Sequence, residues 1–280
     1  MSGPEVPIRL VSLHLYPVKS AHRIDVADAT LGARGLQGDR EWLVTDAAGR
    51  FLTQRTHPAL ARLRPDWRDG QLRLQFPGLP PLELPVAGDS TWERRRVRIW
   101  DDDVEAASAG PSARAWLRAA LGLDADLVRA GEFTQRQPAP RWTGGRDAPV
   151  NFPDGFPLLV AARASLEELN SRLPRPLPMT RFRPNLVIEG LPPYAEDSVD
   201  ELVFDRVALR LVKPCTRCAT THVDQELGEV ADGPIEVLKG YRYDRALRGV
   251  TFGQNAIIVE GIGQRLAAGI SGVARYREVG

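Results

Sequence analysis

The two cysteines of the chain stand three positions apart, in the stretch LVKPCTRCATTHVD at residues 211–224. Lys213 and Arg217 flank Cys215 and Cys218. Nearby cations favour the thiolate, which is the form of cysteine that acts as a nucleophile or binds a metal. Such a pair could bind zinc, exchange a disulfide, ligate a metal that a cofactor also holds, or have no chemical role.

Each possibility makes a different demand on the surrounding sequence. Structural zinc usually takes four Cys or His ligands, and His222 is the nearest further candidate. A thioredoxin-like pair sits at a helix N-terminus after a strand, whereas Cys218 leads into the β-branched run ATTHV, which predicts no helix. Two small buried thiols without chemistry are a further interpretation. A single thiolate also suits a soft metal whose other ligands come from a sulfur-bearing cofactor.

A cofactor of that kind would carry phosphate and would need a cationic cradle. Only three of the 37 basic residues are lysines, and a compact ammonium suits phosphate, although a GC-rich genome also explains the bias. Several polar groups are predicted at strand ends or tight turns, where backbone amides could also face an anion. They are Lys19 and Ser20 in YPVKS, Arg40 in GDREWL, Asp154 and Gly155 in NFPDGFP, and Arg181, Arg183 and Asn185 in RFRPN. Taken singly, each is more often a solvated surface group than part of a binding site.

The elements that must position these residues are mostly predicted strands. Within residues 8–18 a strand is predicted that ends at Pro17. Hairpins are predicted at 42–54, around Asp69-Gly70, at 96–108 and around Asp205-Arg206. Further strands are predicted in FPLLVAA, from Asn185, and in GQNAIIVEG. Short helices are predicted over 111–122, in ASLEELNSRL with a Ser165–Glu168 capping box, and in PIEVLKGYR. Residues 131–156 form a long irregular connection. The predicted fold class is mainly β (α+β), with two β-barrel-like domains and a few short helices.

Composition limits the function classes. A formal net charge of +1 over 280 residues gives no electrostatic reason to expect nucleic acid or an anionic membrane as a partner. No apolar run approaches the ~18 residues that a membrane-spanning helix needs, and the N-terminus lacks a secretion pattern. Two cysteines make no disulfide framework, which indicates a reducing cytoplasm.

Several separate motifs, in order, resemble one known family. YPVKS, GLQGDREWLV and FLTQRTHP resemble the N-terminal β-barrel domain that accompanies MOSC domains, and NFPDGFPLLVAARASLEELNSRL, FRPNLVIEG, CTRCATTHVD, LKGYR and FGQN resemble the MOSC domain itself. The resemblance covers residues 7–278 and implies domains at 1–124 and 125–280. It is strongest to the amidoxime-reducing component type of molybdoenzyme. The family also carries an association with pyridoxal phosphate binding.

The resemblance implies a role for each matching position. Cys218 is expected to ligate molybdenum as the catalytic thiolate, with Cys215 and Thr216 against the molybdenum cofactor. The remaining positions expected to contact the cofactor are Lys19, Ser20, Arg40, Asp154, Gly155, Arg183 and Asn255. The sequence departs from the family after the ligand cysteine, where an apolar pair followed by Thr-Thr becomes Ala219-Thr220-Thr221-His222. That change affects the predicted pocket wall and hence the choice of substrate.

The implied reaction is a two-electron reduction of small N-hydroxylated compounds, such as amidoximes and hydroxylamines, by removal of oxygen. Two cysteines are too few for an iron–sulfur cluster, and GIGQRL at 261–266 is not a dinucleotide fingerprint. A separate electron-donor protein of the ferredoxin, flavodoxin or cytochrome type is therefore expected. The alternative function is a molybdenum cofactor or sulfur carrier that uses a cysteine persulfide.

Overall fold

Strands dominate the fold. The computed structural model describes residues 4–68, 71–85 and 92–278. The strands are β1 (Glu5–Leu15), β2 (Ile24–Val26), β3 (Asp28–Gly32), β4 (Gly35–Leu36), β5 (Trp42–Asp46), β6 (Arg64–Arg68), β7 (Gln71–Gln75), β8 (Leu82–Pro85), β9 (Arg94–Ile99), β10 (Asp102–Ser108), β11 (Ala125–Arg129), β12 (Leu158–Ala162), β13 (Leu186–Glu189), β14 (Val199–Phe204), β15 (Val207–Thr216), β16 (Tyr243–Asp244), β17 (Gly249–Glu260), β18 (Arg265–Ala267) and β19 (Ser271–Tyr276). The α-helices in these ranges are α1 (Pro111–Leu121), α2 (Pro140–Thr143), α3 (Arg163–Ser171) and α4 (Ile235–Lys239). The predicted mainly β class is confirmed.

Seven strands close into a barrel. Their order is β12-β13-β1-β19-β14-β15-β17, and β17 pairs back onto β12. β12 and β13 run parallel, and the connection between them contains α3, as parallel neighbours require a crossover segment. Buried aliphatic side chains of these strands, among them Leu10, Val160, Leu202 and Leu209, fill the interior. Closure leaves these seven strands with partners on both sides, which removes the exposed edges that an open sheet would have.

The N-terminal half forms an open half-barrel beside this closed one. Its four-stranded antiparallel sheet has the order β5-β11-β10-β9, and a second sheet joins β6, β7 and β8. α1 begins at Pro111 and ends against Gly122, whose φ of 69° is the left-handed conformation that glycine favours. Leu117 of α1 packs against Leu127 of β11 in the core of this half.

Strand pairing does not follow chain order. β1 lies between β13 and β19 in the closed barrel, and β3 pairs with β18, so the first segment of the chain completes the C-terminal barrel. The division at residue 124 stays a prediction about sequence units.

Most local predictions are confirmed, and one is wrong. The turn at Asp69-Gly70 lies outside the described residues. The predicted Ser165–Glu168 capping box is wrong, because α3 already begins at Arg163 and its N-cap makes no side-chain hydrogen bond. The Ser165 hydroxyl instead contacts both carboxylate oxygens of the fully buried Glu196, at 2.7 and 2.8 Å. A tertiary partner therefore outcompetes the local cap.

Two further sequence features are resolved by the fold. Residues 261–264 form the turn between β17 and β18, so GIGQRL is a strand connection rather than the start of a helix. Across residues 4–68, 71–85 and 92–278, no helix is both long and apolar enough to cross a membrane.

One cluster of charged residues forms ion pairs between the two halves. The Glu226 carboxylate, in the turn after β15, contacts His22 Nε2 at 3.0 Å, Arg64 Nη2 at 2.9 Å and Arg23 Nη1 at 3.3 Å. The hydrogen bond with His22, together with those from Arg64 and Arg23, lowers the pKa of Glu226 to about 2 despite partial burial. A carboxyl with a depressed pKa stabilises the fold when it is ionised.

Replacing Glu226 by glutamine should therefore lower the free energy of unfolding at pH 7. We expect a loss of about 1 kcal/mol or less, since the side chain is 55% exposed and water screens the pairs. The wild-type advantage is full above the ordinary pKa of 4.5 and is lost as the pH falls towards 2. Urea unfolding between pH 7 and pH 3 measures it, with Glu229→Gln in the same turn as the matched control. A gap between wild type and Glu226→Gln that is the same at both pH values would contradict the assignment.

Candidate functional site

A cavity of about 520 Å³ is lined by residues from both halves of the molecule. The N-terminal half contributes the segment after β1, residues 53–55 and the β9–β10 turn, and the barrel contributes β12, β15 and β17. All ten residues that the family resemblance assigned to a site lie in its wall, namely Lys19, Ser20, Arg40, Asp154, Gly155, Arg183, Cys215, Thr216, Cys218 and Asn255. The fold therefore brings them together, while their individual roles stay predictions. Of the two further cradle candidates in RFRPN, Asn185 lines the cavity, whereas Arg181 is buried against Asp224 away from that wall.

The two cysteines have different environments in this wall. Cys215 is half-buried near the end of β15, and its Sγ accepts a hydrogen bond of 2.9 Å from Arg217 Nη1. Arg217 is held in turn by the carbonyl oxygen of Phe182, at 2.7 Å. Cys218 is exposed, precedes a short 3-10 turn at 219–222, and lies 3.3 Å from the hydroxyl of Thr220. Cys218 is thus the more accessible sulfur.

The metal-ligand set at Cys218 is sparse. Within the part of the chain that the structure describes, no group of three or more His, Cys, Asp or Glu side chains is arranged to hold a metal ion. A zinc site of the structural kind, with its four protein ligands, finds no support here. A metal at Cys218 would need most of its ligands from a bound cofactor.

Lys19 and Asp154 form a close ion pair on the cavity wall. Lys19 follows β1 and is 6% exposed, and its Nζ donates to Asp154 Oδ1 at 2.6 Å. Burial lowers the pKa of Lys19, although Asp154 opposes the shift. Burial alone would raise the pKa of Asp154, but Lys19, a hydrogen bond from Trp100 and the charge of Arg40 outweigh it and hold that pKa well below its usual range.

Arg40 and Arg183 both stack on Tyr16. Their guanidinium carbons lie 4.4 and 4.3 Å from its ring centroid. Arg40 also bonds the carboxylate of Asp39 and donates to the amide oxygen of the buried Asn185 at 2.9 Å. Burial lowers the pKa of Arg183 to about 10, so this guanidinium stays charged at neutral pH.

Strained backbone concentrates at the cavity. Seven non-glycine residues in the described ranges have positive φ, and four of them line the cavity: Ser20 (67°), Arg40 (47°), Trp100 (55°) and Arg183 (56°). A non-glycine residue with positive φ is uncommon and is sterically disfavoured. Such strain clusters at functional sites, where the surrounding structure holds residues in one arrangement.

Three of the predicted residues contribute smaller features. Thr216 is exposed at the end of β15, and Asn255 on β17 donates its amide to the Lys213 carbonyl at 3.3 Å. Gly155 follows Asp154 in a bend, and a Cβ added there would meet no atom within 4 Å. Gly155 is also one of the residues that line the cavity.

Sequence reasoning missed part of the wall. Arg136 is 6% exposed and bonds Asp102 at 2.9 Å, and Arg55 stacks on Trp100 at 4.4 Å. Arg55 lies inside the FLTQRTHP motif, and Arg136 lies in the long irregular connection. Both segments were therefore singled out by the sequence analysis, although these two residues were not. Trp100 carried no such signal.

Positive charge exceeds negative charge in the wall. Seven cationic side chains line the cavity against the carboxylates of Asp101, Asp102 and Asp154, an excess of four positive charges. In addition, the buried Nε of Arg217 has no hydrogen-bond partner among the described residues. Unpartnered buried polar atoms are rare, and here one belongs to a residue of the cavity wall. An anionic ligand is the species that this wall suits.

Comparison with known families identifies the family of the chain. Residues 7–124 match the family described as "MOSC N-terminal beta barrel domain", and residues 147–269 match the family described as "MOSC domain". The chain belongs to the MOSC family.

Curated relatives extend the match over most of the chain. Mitochondrial amidoxime-reducing component 1 of Mus musculus is 34% identical over 83% of this chain and 71% of that protein, and the Homo sapiens protein of the same name is 33% identical over 83% and 72%. Molybdenum cofactor sulfurase of Oryza sativa subsp. japonica is 31% identical over 84% of this chain and 31% of that protein. A solved structure of the YUAD protein from Bacillus subtilis covers 99% of this chain and all of that one, at 12% identity and a TM-score of 0.42, which is too weak to place site residues. This MOSC chain is therefore an oxidoreductase-like enzyme at family level, with a molybdenum-cofactor-related function.

The residues present fit a molybdenum cofactor. Cys218 offers one accessible soft ligand, and the wall offers an excess of cations with an unpartnered arginine nitrogen. A phosphate-bearing cofactor that supplies further sulfur ligands would use both features.

Replacing Asp154 by asparagine should leave Lys19 buried without its counter-ion. We expect a loss of about 1–3 kcal/mol in the free energy of unfolding at pH 7, reduced from the cost of a fully buried pair because Asp154 is itself 74% exposed. The pKa of Lys19 should fall further in the variant. The deficit should therefore shrink as the pH is raised, because neutral Lys19 tolerates burial.

Denaturant unfolding between pH 7 and pH 10 measures this effect. Asp101→Asn is the matched control, since Asp101 lines the same cavity and makes no ion pair within the described residues. Equal losses in the two variants, or a deficit in Asp154→Asn that grows with pH, would contradict the pairing.

Proposed function

We propose that this chain binds the molybdenum cofactor in the cavity and reduces small N-hydroxylated compounds, such as amidoximes and hydroxylamines, by removing oxygen. One observation carries the proposal: an accessible thiol at Cys218 faces a cavity with an excess of four positive charges. The names of the amidoxime-reducing relatives support the choice of substrate class. When bound, the cofactor supplies the two-electron chemistry at its metal.

The chain's own residues bind and orient the cofactor. The Cys218 thiolate would ligate the metal of the cofactor. The cations of Lys19, Arg40 and Arg183 would bind the anionic portion of the cofactor. Asp154 keeps Lys19 charged, the ring of Tyr16 stacks on both guanidinium groups, and Asn185 accepts a hydrogen bond from Arg40.

The remaining polar wall shapes the pocket. Ser20, Thr216 and Asn255 offer hydroxyl and amide hydrogen bonds at its surface, and the bend at Gly155 leaves open space there. Cys215 is held by Arg217 and forms part of the wall beside the metal ligand. Because the strained backbone fixes several of these groups before any ligand arrives, little ordering is required on binding.

The Cys218→Ser variant should bind about tenfold less molybdenum per chain than the wild type, because an alkoxide or hydroxyl is a poor substitute for a soft thiolate ligand. The protein should be produced in a host that makes the cofactor, and its molybdenum measured by elemental analysis after gel filtration. Cys215→Ser is the matched control and should keep most of its metal. A Tm close to that of the wild type shows that the variant is folded.

The carrier hypothesis predicts a different result. A molybdenum cofactor or sulfur carrier would hold labile sulfane sulfur on a cysteine. The similarity to the rice protein named molybdenum cofactor sulfurase is the observation that favours this alternative. Cyanolysis of the purified protein detects such sulfur. Sulfane sulfur on Cys218 without molybdenum would overturn the reductase proposal in favour of the carrier.

We also propose that electrons come from a separate donor protein. The chain has two cysteines in all, and both line the cavity, whereas an iron–sulfur cluster takes four protein ligands. A ferredoxin, flavodoxin or cytochrome would dock near the cofactor, where charged side chains such as Arg55 are exposed. On the same cysteine count we expect the protein to work in the reducing cytoplasm.

Reconstitution tests the donor. The cofactor-loaded protein should reduce an amidoxime when a reduced ferredoxin, flavodoxin or cytochrome is supplied, and its rate with NADH alone should be at least 100-fold lower. Reduced methyl viologen serves as a positive control for the loaded site. Turnover by this chain with NADH as the only reductant would contradict the proposal.

A further inference from the structure

Two lysines line the cavity, and their ammonium groups have different neighbours. Lys19 donates to the carboxylate of Asp154 at 2.6 Å. Lys213 has neither a hydrogen-bond acceptor nor an ion-pair partner for its ammonium in residues 4–68, 71–85 and 92–278. Its Nζ instead lies 5.2 Å from the ring centroid of Trp142 and 5.9 Å from that of Phe156.

The position of Lys213 in the fold places this charge beside the thiols. Lys213 lies on β15 two residues before Cys215, and its Cα pairs with Asn255 of β17. The pairing register shifts on either side of it, between Leu211 and Lys213 and between Pro214 and Thr216. Bulges of this kind re-aim side chains near active sites.

Two aromatic rings lie beside the ammonium, and further apolar side chains line the same cavity. Phe156, Leu158 and Leu159 line the cavity together with Lys213, and Trp142 on α2 covers the same lysine. An aromatic face attracts a cation but leaves the N–H donors of an ammonium largely unused. This part of the wall therefore combines one unused cation with hydrocarbon.

Except for Arg55, the other cations of the wall already have polar partners. Arg136 bonds Asp102, Arg40 bonds Asp39, and Arg183 donates to Gln225 at 2.9 Å. Arg217 donates to Cys215 and to a carbonyl. Arg55 resembles Lys213 in having an aromatic ring, that of Trp100, beside its charge, but it is exposed at the cavity rim and is not flanked by the thiols. In the described wall, Lys213 is the lysine left for a ligand anion.

We propose that Lys213 is a specificity residue that pairs with a carboxylate on the substrate, whose apolar body packs against Phe156 and Leu159. The substrate class is then an N-hydroxylated compound that carries an aromatic or aliphatic body with a carboxylate. This inference rests on the proposed function, because it concerns the substrate of the same cavity. An ammonium–carboxylate pair in partly apolar surroundings is a charge-assisted hydrogen bond, and its loss lowers affinity roughly tenfold or more.

Paired substrates test it in the cofactor-loaded enzyme. A benzamidoxime with a para carboxylate is compared with unsubstituted benzamidoxime in the wild type, Lys213→Met and Lys213→Arg. We expect the ratio of kcat/KM for the carboxylated over the neutral compound to fall about tenfold in Lys213→Met, through KM rather than kcat. Lys213→Arg keeps the charge and should restore most of the ratio. An unchanged ratio in Lys213→Met would overturn the proposal.

A binding measurement separates this proposal from the proposed function. Trp142 lies against Lys213, so its fluorescence should report benzoate added to cofactor-free protein, with benzamide as the neutral control. We expect benzoate to quench the wild type but not Lys213→Met, and Trp142→Phe should lose the signal. If neither amidoxime is turned over, the proposed function fails and this titration alone decides about Lys213. Loss of molybdenum from Lys213→Met would instead assign Lys213 to the cofactor and overturn the proposal.

Discussion

One buried amide connects the barrel to the cavity. The Asn185 side chain accepts hydrogen bonds from Arg40 Nη1 at 2.9 Å and from the Leu159 amide at 3.1 Å, and it donates to the His14 carbonyl at 3.2 Å. It thereby joins β1, β12 and the N-terminal half at a position that is 1% exposed. Since an unmade buried hydrogen bond is costly, each of these contacts constrains the others. The orientation of Arg40 and the connection between β1 and β12 depend on the same side chain.

The cavity gathers like charges, and the fold offsets their repulsion in three ways. Carboxylates accompany Lys19, Arg40 and Arg136. Aromatic rings accompany others, such as Arg55 on Trp100. Left-handed backbone at the cavity wall fixes where these groups lie. A wall built in this way holds its charge ready for an anion, and part of the stability of the fold is given up for that arrangement.

Local sequence patterns predicted most elements because their causes are local. The α1 helix begins at a proline and ends at a glycine, and the β14–β15 hairpin turns at Asp205-Arg206 as its polar break indicates. The capping box at Ser165 failed because its hydroxyl found the buried carboxylate of Glu196, a contact that no window of sequence contains. Trp100 was missed for the same reason. Its exposed ring and positive φ matter only once Arg55 and Asp154 lie beside it.

Sequence patterns were enough to predict the mainly β class, the motifs that identify the family, and ten of the residues that line the cavity. The folded structure was needed to show that Lys19 and Asn255, 236 positions apart, share a wall. It also decided that β1 completes the C-terminal barrel and that Lys213 has aromatic rings rather than a carboxylate beside its ammonium. The reason is physical. Hydrogen bonding and periodicity act between near neighbours, whereas the partners of a charge are chosen when the barrel closes and distant segments become adjacent.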